Sequence, residues 1–166
     1  MKQVVKKRVV KEKPKKKLKR PSGRNTKHHL PGTSKLEERF ATDFLEKLGV
    51  KYIYQFEAKE IGRWYDFYLP EHNLIIEVDG SWYHSDPRLV KEDEMNPMQK
   101  RNKRIDEVKN RWALMHGIPI VRIWEKDINE SPDKVLKELR ERLYIQDKKA
   151  VITEKKNKRH INKFFQ

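Results

Sequence analysis

Of the four carboxylates and two histidines in residues 64–84, WYDFYLPEHNLIIEVDGSWYH, three acids and one histidine lie outside the turn and could act together. The stretch reads as two strands and a tight turn, with Asp66 on the first strand, Glu77 and Asp79 on the second, and His84 just beyond. Side chains alternate across a strand, so Trp64, Asp66 and Tyr68 share one face of the first. On the second, Leu74, Ile76 and Val78 share a face, which leaves Ile75, Glu77 and Asp79 together. With residues 70–73 as the loop, Leu69 pairs with Leu74, and counting back sets Asp66 opposite Glu77. Directly opposed Cβ atoms on an antiparallel pair lie about 4.5–5.5 Å apart, and like charges there are destabilising. A divalent cation removes that penalty. Mg²⁺ is a hard ion held by one or two carboxylates plus waters and phosphate oxygens, so the pair is suited to metal-assisted phosphodiester hydrolysis. The plainer alternative is a solvated hairpin face whose acids pair with lysines. His84 titrates near neutrality and suits a general acid or base; its alternative is a structural histidine.

The surrounding elements must position these groups. Ser34, followed three residues later by Glu37, has the capping-box pattern of a helix start, and Gly49 is the stop. Leu36, Phe40, Ala41, Phe44, Leu45 and Leu48 form its apolar face. Glu37 lies near the middle of that face, so it either completes the cap or is a fourth acid delivered to the hairpin. Residues 51–59 alternate as a strand, and Ile61 with Gly62 turns the chain into the Asp66 strand, giving a three-strand meander. Beyond Gly80, Trp82 and Tyr83 are either core aromatics or rings that stack on or wedge between bases. Residues 85–97 are polar and bounded by proline, a mobile loop over the site.

A second helix is expected from about residue 98 to 116, with Ile105, Val108, Trp112 and Met115 at helical spacing and Gly117 as its stop. Lys100, Arg101, Lys103, Arg104, Lys109 and Arg111 make it heavily basic. Asp106 and Lys109, three apart, read most simply as a surface ion pair. Residues 118–124, IPIVRIW, form a nearly continuous apolar run, as in a buried parallel strand, which makes the second helix a right-handed crossover. A last helix starts near Ser131-Pro132 and carries Val135, Leu136, Leu139, Leu143 and Tyr144. The expected order is α-β-β-β-α-β-α, an α/β fold with a mixed sheet flanked by helices.

Lysine and arginine number 40 against 25 aspartates and glutamates in the 166 residues, a net charge of +15. That points to a polyanionic partner, DNA or RNA, ahead of acidic substrates or anionic membranes. The chain has no cysteine, so it forms no disulfide and no thiolate zinc site. No run approaches the ~20 apolar residues of a membrane span and the lysine-rich start lacks a signal-peptide core, so a cytoplasmic protein is expected. Residues 1–32 read as a basic, disordered arm that tracks phosphates by counterion release, or as a solubilising or targeting tail. Residues 33–145 are the folded domain and residues 146–166 a basic tail. His28 and His29 have no partners at metal-ligand spacing and receive no role.

The element order, with acids on the second and third strands, resembles the restriction-endonuclease-like core of the PD-(D/E)xK superfamily. GSWYH at residues 80–84 looks like the glycine-aromatic-aromatic-histidine stretch of the very short patch repair (Vsr) endonucleases. The ordered set of Glu37, YDFYLP, IIEVDG, His84, DEVK and GIPIVRIW resembles the Vsr-like nucleases more widely, including the EDxHD homing endonucleases of phages, over residues 34–143. The resemblance implies that Asp66 is the central metal ligand and that Glu37 supports the site from the first helix. Asp79 falls where the repair enzymes place a histidine, His84 matches their second active-site histidine, and Trp82 and Tyr83 match aromatics that enter DNA. The superfamily's lysine, two residues after the Glu77-like acid, is Asp79 here, so its role falls to His84, Lys109 or a water. The repair enzymes' structural zinc site has no cysteine to form it.

The expectation is therefore a Mg²⁺-dependent DNA endonuclease, with Mn²⁺ as a substitute, of homing or repair type, nucleoid-associated or phage-encoded in the host cytoplasm. Asp66 with Asp79 or Glu77 holds the metal, Glu37 completes the shell and His84 moves a proton. Trp82, Tyr83, Lys100, Arg101, Lys103, Arg104 and Lys109 contact double-stranded DNA. The protein is a monomer or homodimer, since one centre per chain makes a double-strand break only through a dimer or two nicks. The alternatives are a non-catalytic DNA- or RNA-binding protein and a same-fold nuclease acting on branched DNA or RNA.

Overall fold

The Ser34 side chain accepts the Glu37 backbone N–H at 3.1 Å and opens the first helix, α1 (Lys35–Phe40), in the computed structural model, which describes residues 34–164. The expected basic arm, His28 and His29 lie outside the described residues. Helix α1 runs through a π-helical segment (Ala41–Leu45) into a last turn, α2 (Glu46–Leu48), and stops at Gly49 in the left-handed conformation. Phe40, Ala41, Phe44 and Leu45 are buried along it, so the expected apolar face is the packed one.

Strands β1 (Ile53–Ala58), β2 (Arg63–Leu69) and β3 (Leu74–Asp79) form the antiparallel meander. A 3-10 turn over Pro70–His72 and a left-handed Asn73 close the second hairpin, and Leu69 pairs with Leu74 as the turn residues imply. Helix α3 (Pro97–Met115) opens on a reciprocal Asn96–Gln99 capping box with proline at its first position. It carries the chain to β4 (Ile120–Trp124), which lies parallel to β3. The sheet order is β1-β2-β3-β4, an open mixed sheet with helices on both faces. A short helix α4 (Glu125–Glu130), which the sequence reading lacked, precedes α5 (Pro132–Phe164). Helix α5 is continuous across Gln146, where the folded domain was expected to give way to a tail.

Two apolar clusters fill the two sides of the sheet. One joins Phe40 and Phe44 to Phe67, Leu69, Ile76, Val121, Ile123, Ile128 and Leu139; the other joins Tyr65 and Ile75 to Trp112 and Ala113 of α3. Complete burial of one such side chain contributes about 1.5–3 kcal/mol, enough in aggregate to fix both helical layers on the sheet. The α3 face differs from the expected one. Trp112 is buried as expected, but Val108 and Met115 are exposed while Lys109 and Ala113 are buried, because α3 turns a charged group toward the sheet. Strand β4 is an edge strand, so its apolar run is buried only at alternate positions, Val121 and Ile123. Residues 85–97, expected to be a mobile loop, carry an anchor: Asp86 is wholly buried and accepts from Arg88 Nη2 at 2.6 Å, and Arg88 Nη1 donates to Asp127 at 2.8 Å.

Candidate active site

The β2–β3 ladder ends at Phe67 and Ile76, one step before the expected pairing of Asp66 with Glu77. The Asp66 carboxylate occupies the gap instead: its Oδ2 accepts the Val78 backbone N–H at 2.7 Å. A side chain thus replaces the ladder bond, and β2 separates from β3 where the acids lie. The expected sharing of a face by Trp64, Asp66 and Tyr68 fails for the same reason. Tyr65 and Tyr68 both pack on the α3 side, whereas Phe67 packs on the α1 side, so the strict alternation breaks at Asp66.

Glu77 and Asp79 point to the α3 side and are almost fully buried. Lys109 Nζ lies 2.6 Å from Glu77 Oε1. The expected Asp106–Lys109 pair on the helix surface does not form, because both residues face the sheet and meet closer partners there. Asp106 Oδ2 bonds His84 Nδ1 at 2.8 Å, and its other oxygen lies 3.4 Å from Arg122 Nη2. Arg122 Nη1 donates to both oxygens of Asp79, at 2.9 and 2.7 Å, and His84 Nδ1 is 3.6 Å from Asp79 Oδ1.

From the opposite side, α1 presents Glu37. Its backbone N–H takes the Ser34 cap, but its carboxylate does not turn back to complete the box. Glu37 Oε2 accepts from Tyr54 Oη at 2.8 Å and from Gln55 Nε2 at 2.9 Å. Of the two sequence-level alternatives for Glu37, the placement is that of an acid delivered toward the hairpin.

Electrostatics divides these groups into two adjoining sets. Burial, with repulsion from Glu77 and Glu37, holds the Asp66 carboxyl well above its usual range against the Val78 N–H. Burial pushes Glu77 up to about 7 even though Lys109 and Arg122 pull it down. In the second set, burial disfavours the His84 cation, yet Asp106 and Asp79 outweigh it and raise the imidazole above its ordinary value. Asp106 is lowered, since His84 and Arg122 overcome its burial. The first set is therefore an acid group with too little positive charge, and the second a neutralised chain of acids and bases. Among the described residues no three His, Asp or Glu side chains form a ready-made metal cluster. Mg²⁺ asks for less, one or two carboxylates with waters and phosphate oxygens, and the all-oxygen donors of Asp66 and Glu77 fit it.

The turn after β3 carries the aromatics. Gln99 Nε2 of α3 donates to the Trp82 carbonyl at 2.6 Å and Asn102 Nδ2 to the Tyr83 carbonyl at 3.1 Å. The two rings meet edge to face with centroids 5.0 Å apart, Trp82 half-buried and Tyr83 41% exposed. On the same helix Lys100, Arg101 and Arg104 are exposed, and the half-buried Lys103 reaches Glu92 Oε1 with its Nζ at 2.6 Å. Lys109 parts from these four: it is turned inward on Glu77.

Sequence reasoning missed Tyr54, Gln55, Arg122 and the role of Asp106; Lys109 stood there as one of three candidates for the superfamily lysine's role, without Glu77 as its partner. An arginine inside the apolar run 118–124 was a signal, because a charge in a packed strand implies a buried partner. Tyr54 and Gln55 gave none. Comparison with known proteins returns no matching family model, no matching curated protein and no matching solved structure.

Proposed function

We propose that the chain is a metal-dependent DNA endonuclease with a restriction-endonuclease-like core, of the Vsr-like homing or repair type. The observation that carries the reading is the junction where β2 leaves β3, with Asp66, Glu77 and Lys109 gathered at the split and Glu37 delivered from α1. Asp66 and Glu77 would hold Mg²⁺, or Mn²⁺ in its place; the ion supplies Lewis-acid activation of a phosphate oxygen and of a water. Asp79, with both oxygens on Arg122, holds the second set together. Lys109 takes the place of the lysine that the superfamily carries two residues after the Glu77-like acid. It draws the Glu77 carboxyl down against its burial and offers a cation to charge developing on the phosphate.

His84 is the proton carrier. Asp106 occupies its Nδ1, leaving Nε2 without a protein partner among the described residues to protonate the leaving oxygen or to accept from the attacking water. Trp82, Tyr83 and the cations Lys100, Arg101 and Arg104 flank the turn that carries His84 and would bind double-stranded DNA through its backbone. No described helix is long and apolar enough to cross a membrane.

Supercoiled plasmid incubated with Mg²⁺ or with EDTA, for the parent and Asp66→Ala, tests the reading. Metal-dependent nicking or linearisation that the variant loses is the expected result. Equal cutting by a folded Asp66→Ala overturns it. Plasmid shifted by both proteins and cut by neither, in Mg²⁺ and in Mn²⁺ and across plasmids of different sequence, favours the non-catalytic binder.

A further inference from the structure

Gln55 lies inside β1 with φ of +51°, a region that side chains other than glycine, asparagine and aspartate seldom enter. Nothing about a turn demands it, since the β1–β2 pairing continues on both sides, from Tyr54↔Phe67 to Phe56↔Tyr65. Its consequence is a change of face. Tyr54 packs with Phe67 on the α1 side, and Phe56, two residues on, packs with Tyr65 and Trp112 on the α3 side. In a regular strand those two would share a face and Gln55 would point away from Tyr54.

The left-handed residue instead lets two neighbouring side chains converge on one atom. Tyr54 Oη and Gln55 Nε2 both donate to Glu37 Oε2, at 2.8 and 2.9 Å, which adjacent residues of a flat strand cannot do. By register Gln55 also lies opposite Asp66, the residue at which β2 makes its own change of face. Strained backbone of this kind persists where the surroundings hold it and clusters at functional sites.

We propose that Gln55 is a positioning residue for Glu37: its left-handed backbone brings its amide and the Tyr54 hydroxyl onto one carboxylate oxygen and so fixes the other oxygen for the metal's shell beside Asp66. The inference rests on the nuclease reading and adds a residue that acts through Glu37, touching neither metal nor DNA.

The test uses the full chain and three variants. Gln55→Gly removes the amide while suiting the backbone conformation. Gln55→Asn keeps an amide on a residue at home in that conformation, one methylene too short to reach. Glu37→Gln blocks the target. Calorimetric titration with Mn²⁺ alone, without DNA, is the first readout; the Mg²⁺ concentration for half-maximal plasmid cleavage is the second. Both Gln55 variants are expected to weaken Mn²⁺ binding about 10–100-fold, the usual effect of removing a group that orients a metal's ligands. They should raise the Mg²⁺ requirement in proportion, with DNA affinity in EDTA unchanged and melting temperature within about 4 °C of the parent. Combining Gln55→Gly with Glu37→Gln adds no further loss. Parent-like Mn²⁺ binding and Mg²⁺ dependence in both Gln55 variants, beside an inactive Asp66→Ala, overturns the inference and leaves the nuclease reading standing. A melting temperature that falls well below that range in both also overturns it, since the side chain then serves the fold. An Asp66→Ala protein that cuts like the parent overturns the nuclease reading itself.

Discussion

At the residue scale, the site assigns different work to its charges by giving each a different partner. Lys109 and Arg122 are both cations on the α3 side of the sheet, but Lys109 meets Glu77 with a single point charge whereas Arg122 grips Asp79 through both oxygens. The Arg122 pair is a closed unit; the Glu77–Lys109 pair leaves carboxylate oxygens for a further cation. Lys109→Met keeps the length of the side chain and removes its charge, leaving Glu77 buried without its cation, so stability is expected to fall by about 3–5 kcal/mol and single-turnover cleavage by the folded protein about 100-fold, at the low end of what a positioned donor contributes. Lys109→Arg, with its bulkier planar head, restores part of that loss at most. For His84→Ala the expected fall is about 10²–10⁴-fold, with DNA affinity in EDTA unchanged. A cleavage rate within about twofold of the parent would remove His84 from the chemistry.

At the element scale, what the sequence disclosed and what it concealed divide along one line. Signals written in single residues were legible: the Ser34 cap, the Gly49 stop, the Pro70–Asn73 turn and the Ser131-Pro132 helix start each correspond to a structural boundary. Signals that assume a regular ladder misled. Counting by twos set Asp66 opposite Glu77, and the ladder stops one residue earlier because Asp66 itself takes the Val78 N–H. The buried face of α3 was misplaced because Val108 and Met115 are apolar and Lys109 is not, although Lys109 and Asp106, three apart, do share the inward side as helical spacing requires. Gln55 gives no local clue to its left-handed backbone. The loop after His84 offers an element-scale prediction. Asp86 has its carboxyl held below the usual range, since its bonds from Arg88 outweigh burial. A lowered native pKa contributes stability that is present above the unfolded value near 3.8 and is lost as pH falls through the native one. Asp86→Asn should therefore flatten the acid limb of the stability curve below about pH 4. At pH 7 it should cost about 2 kcal/mol, the scale of hydrogen bonds to a charged group, read as a shift of the urea midpoint without a change in slope.

At the scale of the whole molecule, a net charge of +15 and a buried acidic site have opposite effects on a nucleic acid: the surface attracts phosphate while Asp66, Glu77 and Glu37 repel it until a cation intervenes. Two separable dependences follow. Overall affinity should fall with monovalent salt, as log K against log[salt] with a slope near about −0.9 per phosphate neutralised, and this should hold with EDTA present. Cleavage should require the divalent ion at any salt. Lys100 and Arg104, four apart and exposed on α3 beside the aromatic turn, are the cations expected to carry the first dependence without touching the second. Lys100→Ala combined with Arg104→Ala is expected to reduce the magnitude of the salt slope by about 2, one for each phosphate no longer neutralised, and to weaken binding alike on unrelated duplex sequences. The rate of cleavage by the saturated complex should be unchanged. Filter-binding titrations across a salt series measure the slope, and single-turnover cleavage at saturating protein measures the rate. An unaltered slope would place the phosphate path elsewhere on the molecule, away from α3. A fall in saturated rate with an unaltered slope would mean that these cations act on the bound phosphate and belong to the site.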